Sequence, residues 1–186
     1  MASKSPARIT VERLLANNKE YAASVHKAVP PLLQLVGNDM KTNGPHVVIL
    51  SCLDSRANPY EVLGLKPLEC IVFRNVSGRI APVLPHIAAL DAFFHINQII
   101  ILHHNNCGAT HWTLEHELHD LKSKCPDATP QDLEEVRKFC PAREDNDSGL
   151  KEDLKMLRAC RYIRKDIVEG AIGLYMDVQT GLVREV

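Results

Sequence analysis

His46-Val47-Val48-Ile49-Leu50-Ser51-Cys52-Leu53-Asp54-Ser55-Arg56 is the stretch on which the reading of this chain turns. It follows the turn signal Asn43-Gly44-Pro45, and its first half is short, apolar and β-branched, as expected of a strand buried on both faces. Cys52 stands at the carboxyl end of that strand. Because strand side chains alternate, Cys52 and Asp54 can point the same way as the strand runs out, which sets a thiol and a carboxylate on one cavity wall.

Working outward, Cys70 to Phe73 reads as a second short strand and Gln98 to Leu102 as a third, which ends at His103 and His104. Between them, Pro59 to Leu63 can open a short helix, and Pro85 to Ile96 has the helical pattern with Ile87, Ala88, Leu90 and Phe94 turned inward. Strands separated by helices imply right-handed crossovers and a mainly parallel central sheet flanked by helices, an α/β fold that binds ligands beyond the carboxyl ends of its strands. Upstream, apolar residues from Ile9 to His26 recur at helical intervals behind Thr10, a candidate cap, and Pro30 and Pro31 follow. Downstream, helices are expected over Thr110 to Lys124, Pro130 to Phe139 and Gly149 to Glu169, with the polar stretch Arg143 to Ser148 as a loop. Ala171 to Val178 and Leu182 to Arg184, joined by Gln179-Thr180-Gly181, have the form of a closing hairpin.

With 186 residues, 45% of them hydrophobic, a single domain can bury a core without disulfide staples. Lys and Arg total 22 against 23 Asp and Glu, so no global field exists to hold nucleic acid or an anionic membrane surface. No apolar run approaches the roughly 20 residues a membrane span needs, and no signal-peptide pattern follows the polar Met1 to Pro6, so the cytoplasm is the expected compartment. Six cysteines at irregular spacing read as reduced thiols, some of them free to bind metal.

At the third strand end, His104-Asn105-Asn106-Cys107-Gly108 puts an imidazole and a thiol three residues apart, able to reach one ion from a tight turn. Zinc accepts such a mixture of sulfur and nitrogen, and three protein ligands leave a fourth tetrahedral position for water. Each half alone is weak evidence, since a lone Cys at a strand end is usually a small buried hydrophobe. Two strand ends in one parallel sheet, however, are expected neighbours.

The pattern Cys52-x-Asp54-Ser55-Arg56, then His104-x-x-Cys107-Gly108, resembles the zinc signature of the β-class carbonic anhydrases, and Pro59, Phe73-Arg74-Asn75 and Tyr175-x-Asp177-Val178-x-Thr180-Gly181 extend the likeness. The resemblance implies one domain over residues 1–186 with an N-terminal helical arm at about 1–40, a parallel sheet with an added C-terminal edge strand or hairpin, and one Zn2+ per chain on Cys52, His104 and Cys107. It further implies a homo-oligomer, dimer or tetramer, whose N-terminal helix crosses onto a partner. Asp54 would either be the fourth zinc ligand in a closed state or, held by Arg56, accept a hydrogen bond from zinc-bound water in an open one. The N–H of Gly108 is a candidate donor to a substrate oxygen. The implied reaction is hydration of carbon dioxide to bicarbonate by zinc-activated water, with hydrolysis of carbonyl sulfide or carbon disulfide as the alternative. A silent zinc-binding dimer, with Asp54 fixed on the metal, is the reading from a different class.

The chain departs from the family where His103 replaces the usual Gly before the metal-binding histidine, where Asn105-Asn106 fill the HxxC, and where Val76-Ser77-Gly78 replaces an Ala-Gly-Gly-like stretch after Arg74-Asn75. His103 is expected to be packed and bonded to backbone rather than to shuttle protons. His116-Glu117-Leu118-His119 is one residue short of a metalloprotease HExxH and reads as a solvated helix face. The loop from Cys52 to Arg56 is too short and too poor in glycine to wrap a phosphate. Cys70, Cys125, Cys140 and Cys160 lack partners at ligand spacing, and Trp112 is expected to pack at a helix start or a subunit contact.

Overall fold

The computed structural model describes residues 9–111, 113–139 and 146–186. Trp112, Cys140 and residues 143–145 of the expected loop therefore lie outside the described residues. Described residues up to Asn38 form one compact unit and Asp39–Val186 another.

In the first unit, α1 (Val11–Ser24) begins where the Thr10 side chain accepts a hydrogen bond from the Arg13 amide at 3.3 Å, the expected cap. None of its residues is buried, and Val11, Leu14, Leu15 and Tyr21 are all exposed. A short helix α2 (Leu32–Leu35) follows the prolines.

The second unit opens with α3 (Met40–Asn43), capped by Asp39, and then β1 (Val47–Cys52). After β1 come α4 (Pro59–Val62), β2 (Ile71–Asn75), α5 (Leu84–Phe94) and β3 (Gln98–His104). The helices α6 (Leu114–Lys124), α7 (Pro130–Phe139), α8 (Asn146–Arg158) and α9 (Lys165–Glu169) precede the hairpin β4 (Ile172–Met176) and β5 (Val183–Glu185). The strands form one sheet in the order β2-β1-β3-β4-β5, parallel except for the antiparallel β4–β5 pair at the edge. This is the mainly parallel α/β sheet with an added edge strand that the sequence implies.

Two boundaries differ from expectation. Asn146 to Ser148 belong to the first turn of α8 rather than to a loop, and Asp147 there pairs with Lys151 at 2.7 Å and Arg184 at 3.0 Å. The expected helix over Gly149 to Glu169 is two helices, α8 and α9, with a break between Arg158 and Lys165. At that break Arg164 turns to Asp91, donating from Nε at 2.8 Å, and so ties the start of α9 to the end of α5.

The core lies on the face of the sheet covered by α5, α8 and α9, where Val48, Leu50, Ile99 and Ile101 meet Ile87, Leu150, Leu154 and Leu157. Each such fully buried aliphatic side chain contributes about 1.5–3 kcal/mol relative to exposure. A smaller cluster of Ala57, Leu102 and Met176 covers the other face. His103 shares the parity of Ile99 and Ile101 and His104 that of Leu102, so two adjacent histidines leave β3 on opposite faces.

Candidate metal centre

β1 and β3 are hydrogen-bonded neighbours, with Ser51 opposite Leu102, so the turns beyond their carboxyl ends meet. Cys52, the last residue of β1, is 5% exposed, and Cys107, in the turn after β3, is 1% exposed. Their sulfurs stand 3.7 Å apart, and one ligand atom each from Cys52, His104 and Cys107 lies within 4.8 Å of the others. Cys125 is exposed, Cys160 half-buried, and Cys70 buried, and none of them joins this cluster.

The donor set fits zinc. Two sulfurs at about 2.3 Å from one tetrahedral ion stand roughly 3.8 Å apart, close to the spacing found. His104 is fully buried, and its Nδ1 lies 2.8 Å from the Asn105 carbonyl. A carbonyl only accepts, so Nδ1 carries the proton and Nε2 keeps the lone pair a metal requires. Without a cation the set is electrostatically awkward. The adjacent Cys107 sulfur, and then burial, push the Cys52 thiol far upward, since two thiolates in contact repel each other. Burial opposes the charged form of His104, but its contacts with Cys107 and with the Asn105 carbonyl prevail and raise its pKa. A divalent ion removes both difficulties at once.

Asp54 sits at the rim. Arg56 donates from Nε to Oδ1 at 3.0 Å and from Nη2 to Oδ2 at 2.6 Å, a two-pronged grip, and the same Nη2 reaches the Asn106 carbonyl at 2.9 Å. These hydrogen bonds, working against partial burial, pull the Asp54 carboxyl down to about 2, so it is ionised at neutral pH. Its Oδ2 lies 4.0 Å from His104 Nε2. A cleft of about 260 Å³ opens beside these groups, bounded by Cys52, Asp54, Cys107 and Gly108 and by the apolar Leu53, Val76 and Ala109. Nothing lies within 4 Å of where a Cβ on Gly108 would stand, so that backbone faces open space.

Two supports escaped the sequence reading. Arg74 donates from Nε to the Cys52 carbonyl at 3.0 Å and from Nη2 to the Asp54 carbonyl at 2.7 Å, pinning the backbone that carries both functional side chains. Its place near the end of β2, beside the strand that ends at Cys52, is the available signal. The second support is behind the site. His103 is fully buried, as expected for a packed histidine, with Nε2 donating to the Gly78 carbonyl at 3.1 Å, and it also meets Asp153 at 3.3 Å. Asp153 in turn holds Arg79 at 3.2 Å and accepts from the Ile80 amide at 3.2 Å. Asp153 falls on the inward stripe of α8 with Leu150, Leu154 and Leu157, and a carboxylate on an apolar stripe is a sign of a buried partner. His116 and His119 are exposed on α6, as a solvated face requires.

The family model for carbonic anhydrase matches residues 47–183. The chain belongs to the β-carbonic anhydrase family. A solved carbonic anhydrase from Streptococcus mutans is 30% identical, with a TM-score of 0.73 over 94% of this chain and 96% of that one. β-Carbonic anhydrase 1 of Mycobacterium tuberculosis is 25% identical over 180 residues, 92% of this chain and 94% of the relative. Carbon disulfide hydrolase of Saccharolobus solfataricus is 32% identical over 72 residues, 38% of this chain and 35% of the relative. Both kinds of relative are enzymes, and this β-carbonic anhydrase family member carries the Cys-His-Cys cluster on the strand ends where its fold places ligands. Among the described residues, no helix is long and apolar enough to cross a membrane.

Proposed function

We propose that this chain hydrates carbon dioxide to bicarbonate with one Zn2+ held by Cys52, His104 and Cys107. The observation that carries the reading is the meeting of two buried sulfurs and a buried imidazole from two strand ends, next to a carboxylate that an arginine holds ionised. Zinc bound there would supply a Lewis acid that brings the pKa of water from about 15.7 toward about 7.

The chain's own residues do the rest. Asp54, held by Arg56, accepts a hydrogen bond from water entering the cleft and turns its lone pair toward the substrate carbon. The Arg56 grip keeps that carboxylate out of the ligand set, which favours an enzyme over a silent site in which Asp54 would close the metal. Gly108, in the cleft lining, offers its N–H to a substrate oxygen. Leu53, Val76 and Ala109 give a small linear apolar molecule an apolar wall.

Hydrolysis of carbonyl sulfide or carbon disulfide is the second reading, favoured by the likeness to carbon disulfide hydrolase, since these molecules share a linear shape and an electrophilic carbon. The exposed apolar residues of α1 support a homo-oligomer in which that helix meets a second copy, within one domain of residues 1–186 working in the cytoplasm.

Zinc-loaded protein tested on carbon dioxide by pH change, and on carbonyl sulfide by sulfide release, decides between these readings. Turnover of carbon dioxide is expected. Stoichiometric zinc without turnover of either substrate would leave the silent dimer.

A further inference from the structure

Ser77 lies in the strap between β2 and α5 and borders the cleft beside Cys52, Cys107 and Gly108. It is 1% exposed, and its Oγ makes no hydrogen bond. Its backbone is left-handed, with φ 59°, a conformation costly for a residue with a side chain. The strap is packed so tightly on β1 that a Cβ on the next residue, Gly78, would stand 3.0 Å from the Cys52 amide nitrogen. Glycine would suit the backbone of position 77 better. A serine at this place therefore carries two penalties, a strained backbone and a buried hydroxyl with nothing to bond, and neither is offset within the fold. The second is removed if the hydroxyl's partner arrives from outside.

We propose that the Ser77 hydroxyl donates a hydrogen bond to an oxygen of the substrate and thereby favours oxygen-bearing linear molecules, carbon dioxide and carbonyl sulfide, over carbon disulfide. The inference rests on the reading of the chain as an enzyme for such molecules. The cleft has apolar walls at Leu53, Val76 and Ala109, and its remaining polar groups are already assigned: the sulfurs to the metal and Asp54 to water. A substrate oxygen is a good acceptor, and the developing charge on it during hydration makes it a better one. Sulfur accepts hydrogen bonds weakly, so carbon disulfide gains little from the same donor. Ser77 is thus a specificity-determining residue, acting by the energetic cost of an unmet hydroxyl when the bound molecule offers it no oxygen.

Ser77→Ala removes the hydroxyl and keeps the strain, while Ser77→Gly removes both. For each variant and the wild type, kcat/KM is measured on carbon dioxide and on carbon disulfide, together with zinc content and Tm; where carbon disulfide is not turned over, its inhibition constant against carbon dioxide hydration replaces kcat/KM. Both variants should lose about tenfold in kcat/KM on carbon dioxide. Their carbon disulfide constants should stay within about twofold, their zinc content should be unchanged, and Ser77→Gly should melt no lower than the wild type. An unchanged carbon dioxide constant, or equal losses on both substrates, overturns the inference while leaving the enzyme reading standing. A zinc-loaded wild type inactive on every one of these substrates removes the enzyme reading and this inference with it.

Discussion

Arg56 grips Asp54 by both carboxylate oxygens, at 3.0 Å and 2.6 Å, and extends the same guanidinium to the Asn106 carbonyl at 2.9 Å, two residues beyond His104. One side chain thereby joins the turn after β1 to the turn after β3. Arg56→Ala should release Asp54 toward the metal and lower kcat/KM on carbon dioxide by about 10- to 100-fold with zinc retained. Arg56→Lys should not restore it, because an ammonium cannot make the two-pronged contact. Steady-state kinetics with metal analysis of each variant checks both outcomes.

The acid side of the stability curve follows from the same pair. Asp54 titrates at about 2 in the folded chain against an ordinary 3.8, chiefly through its hydrogen bond from Arg56, and Asp91 is lowered in the same direction, chiefly by Arg164. Depressed carboxyl values mean that the unfolded chain binds more protons in this range, so both pairs stabilise the fold above pH 3.8 and lose that contribution as pH falls, Asp54 through about 2. The urea midpoint should drop between pH 5 and pH 2.5, and less steeply in Arg56→Ala. Near neutrality Asp54 stays ionised, so an inflection in the rate profile between about pH 6 and 8 reports a group other than Asp54 and should persist in Asp54→Asn.

Arg74 holds the carbonyls of Cys52 and Asp54, so its loss should be felt at the metal although it touches no ligand atom there. Arg74→Ala is expected to cost about 2–3 kcal/mol of stability and to weaken zinc binding by about 10- to 100-fold. Chemical denaturation and competition with a chromogenic chelator measure the two effects separately.

Asp153 and Arg79 are both almost fully buried, with side chains 1% and 3% exposed. Asp153→Ala should destabilise the chain by about 3 kcal/mol, because it leaves the buried Arg79 guanidinium with only the half-exposed Glu152 carboxylate, at 3.3 Å. Asp153→Asn, which keeps an acceptor for the Ile80 amide, should cost less. Denaturant midpoints at constant slope test the order.

The frame was legible because its signals are local. The β-branched run before Cys52, the apolar run before His103 and the Gly-containing turn at Gly181 each announce a strand within a few residues, and Thr10 announces a cap. The Cys-His-Cys cluster was legible because HxxC and CxDSR are short motifs at strand ends. What sequence could not give was whatever depends on distant chain meeting. Arg74 acts on a neighbouring strand, Asp153 reaches His103 and Arg79 across fifty and more residues, and the left-handed strain at Ser77 comes from packing on β1. The start of α8 was misread because Asn146-Asp147-Ser148 is polar enough for a loop, yet Asp147 near a helix start, paired with Lys151, favours the first turn.

Native mass spectrometry of protein purified without chelator reads out whether Cys52, His104 and Cys107 hold one zinc per chain. The wild type should carry one zinc per chain, and Cys52→Ser and Cys107→Ser should carry almost none. A folded wild type free of divalent metal, or either variant retaining the full complement, would contradict the account.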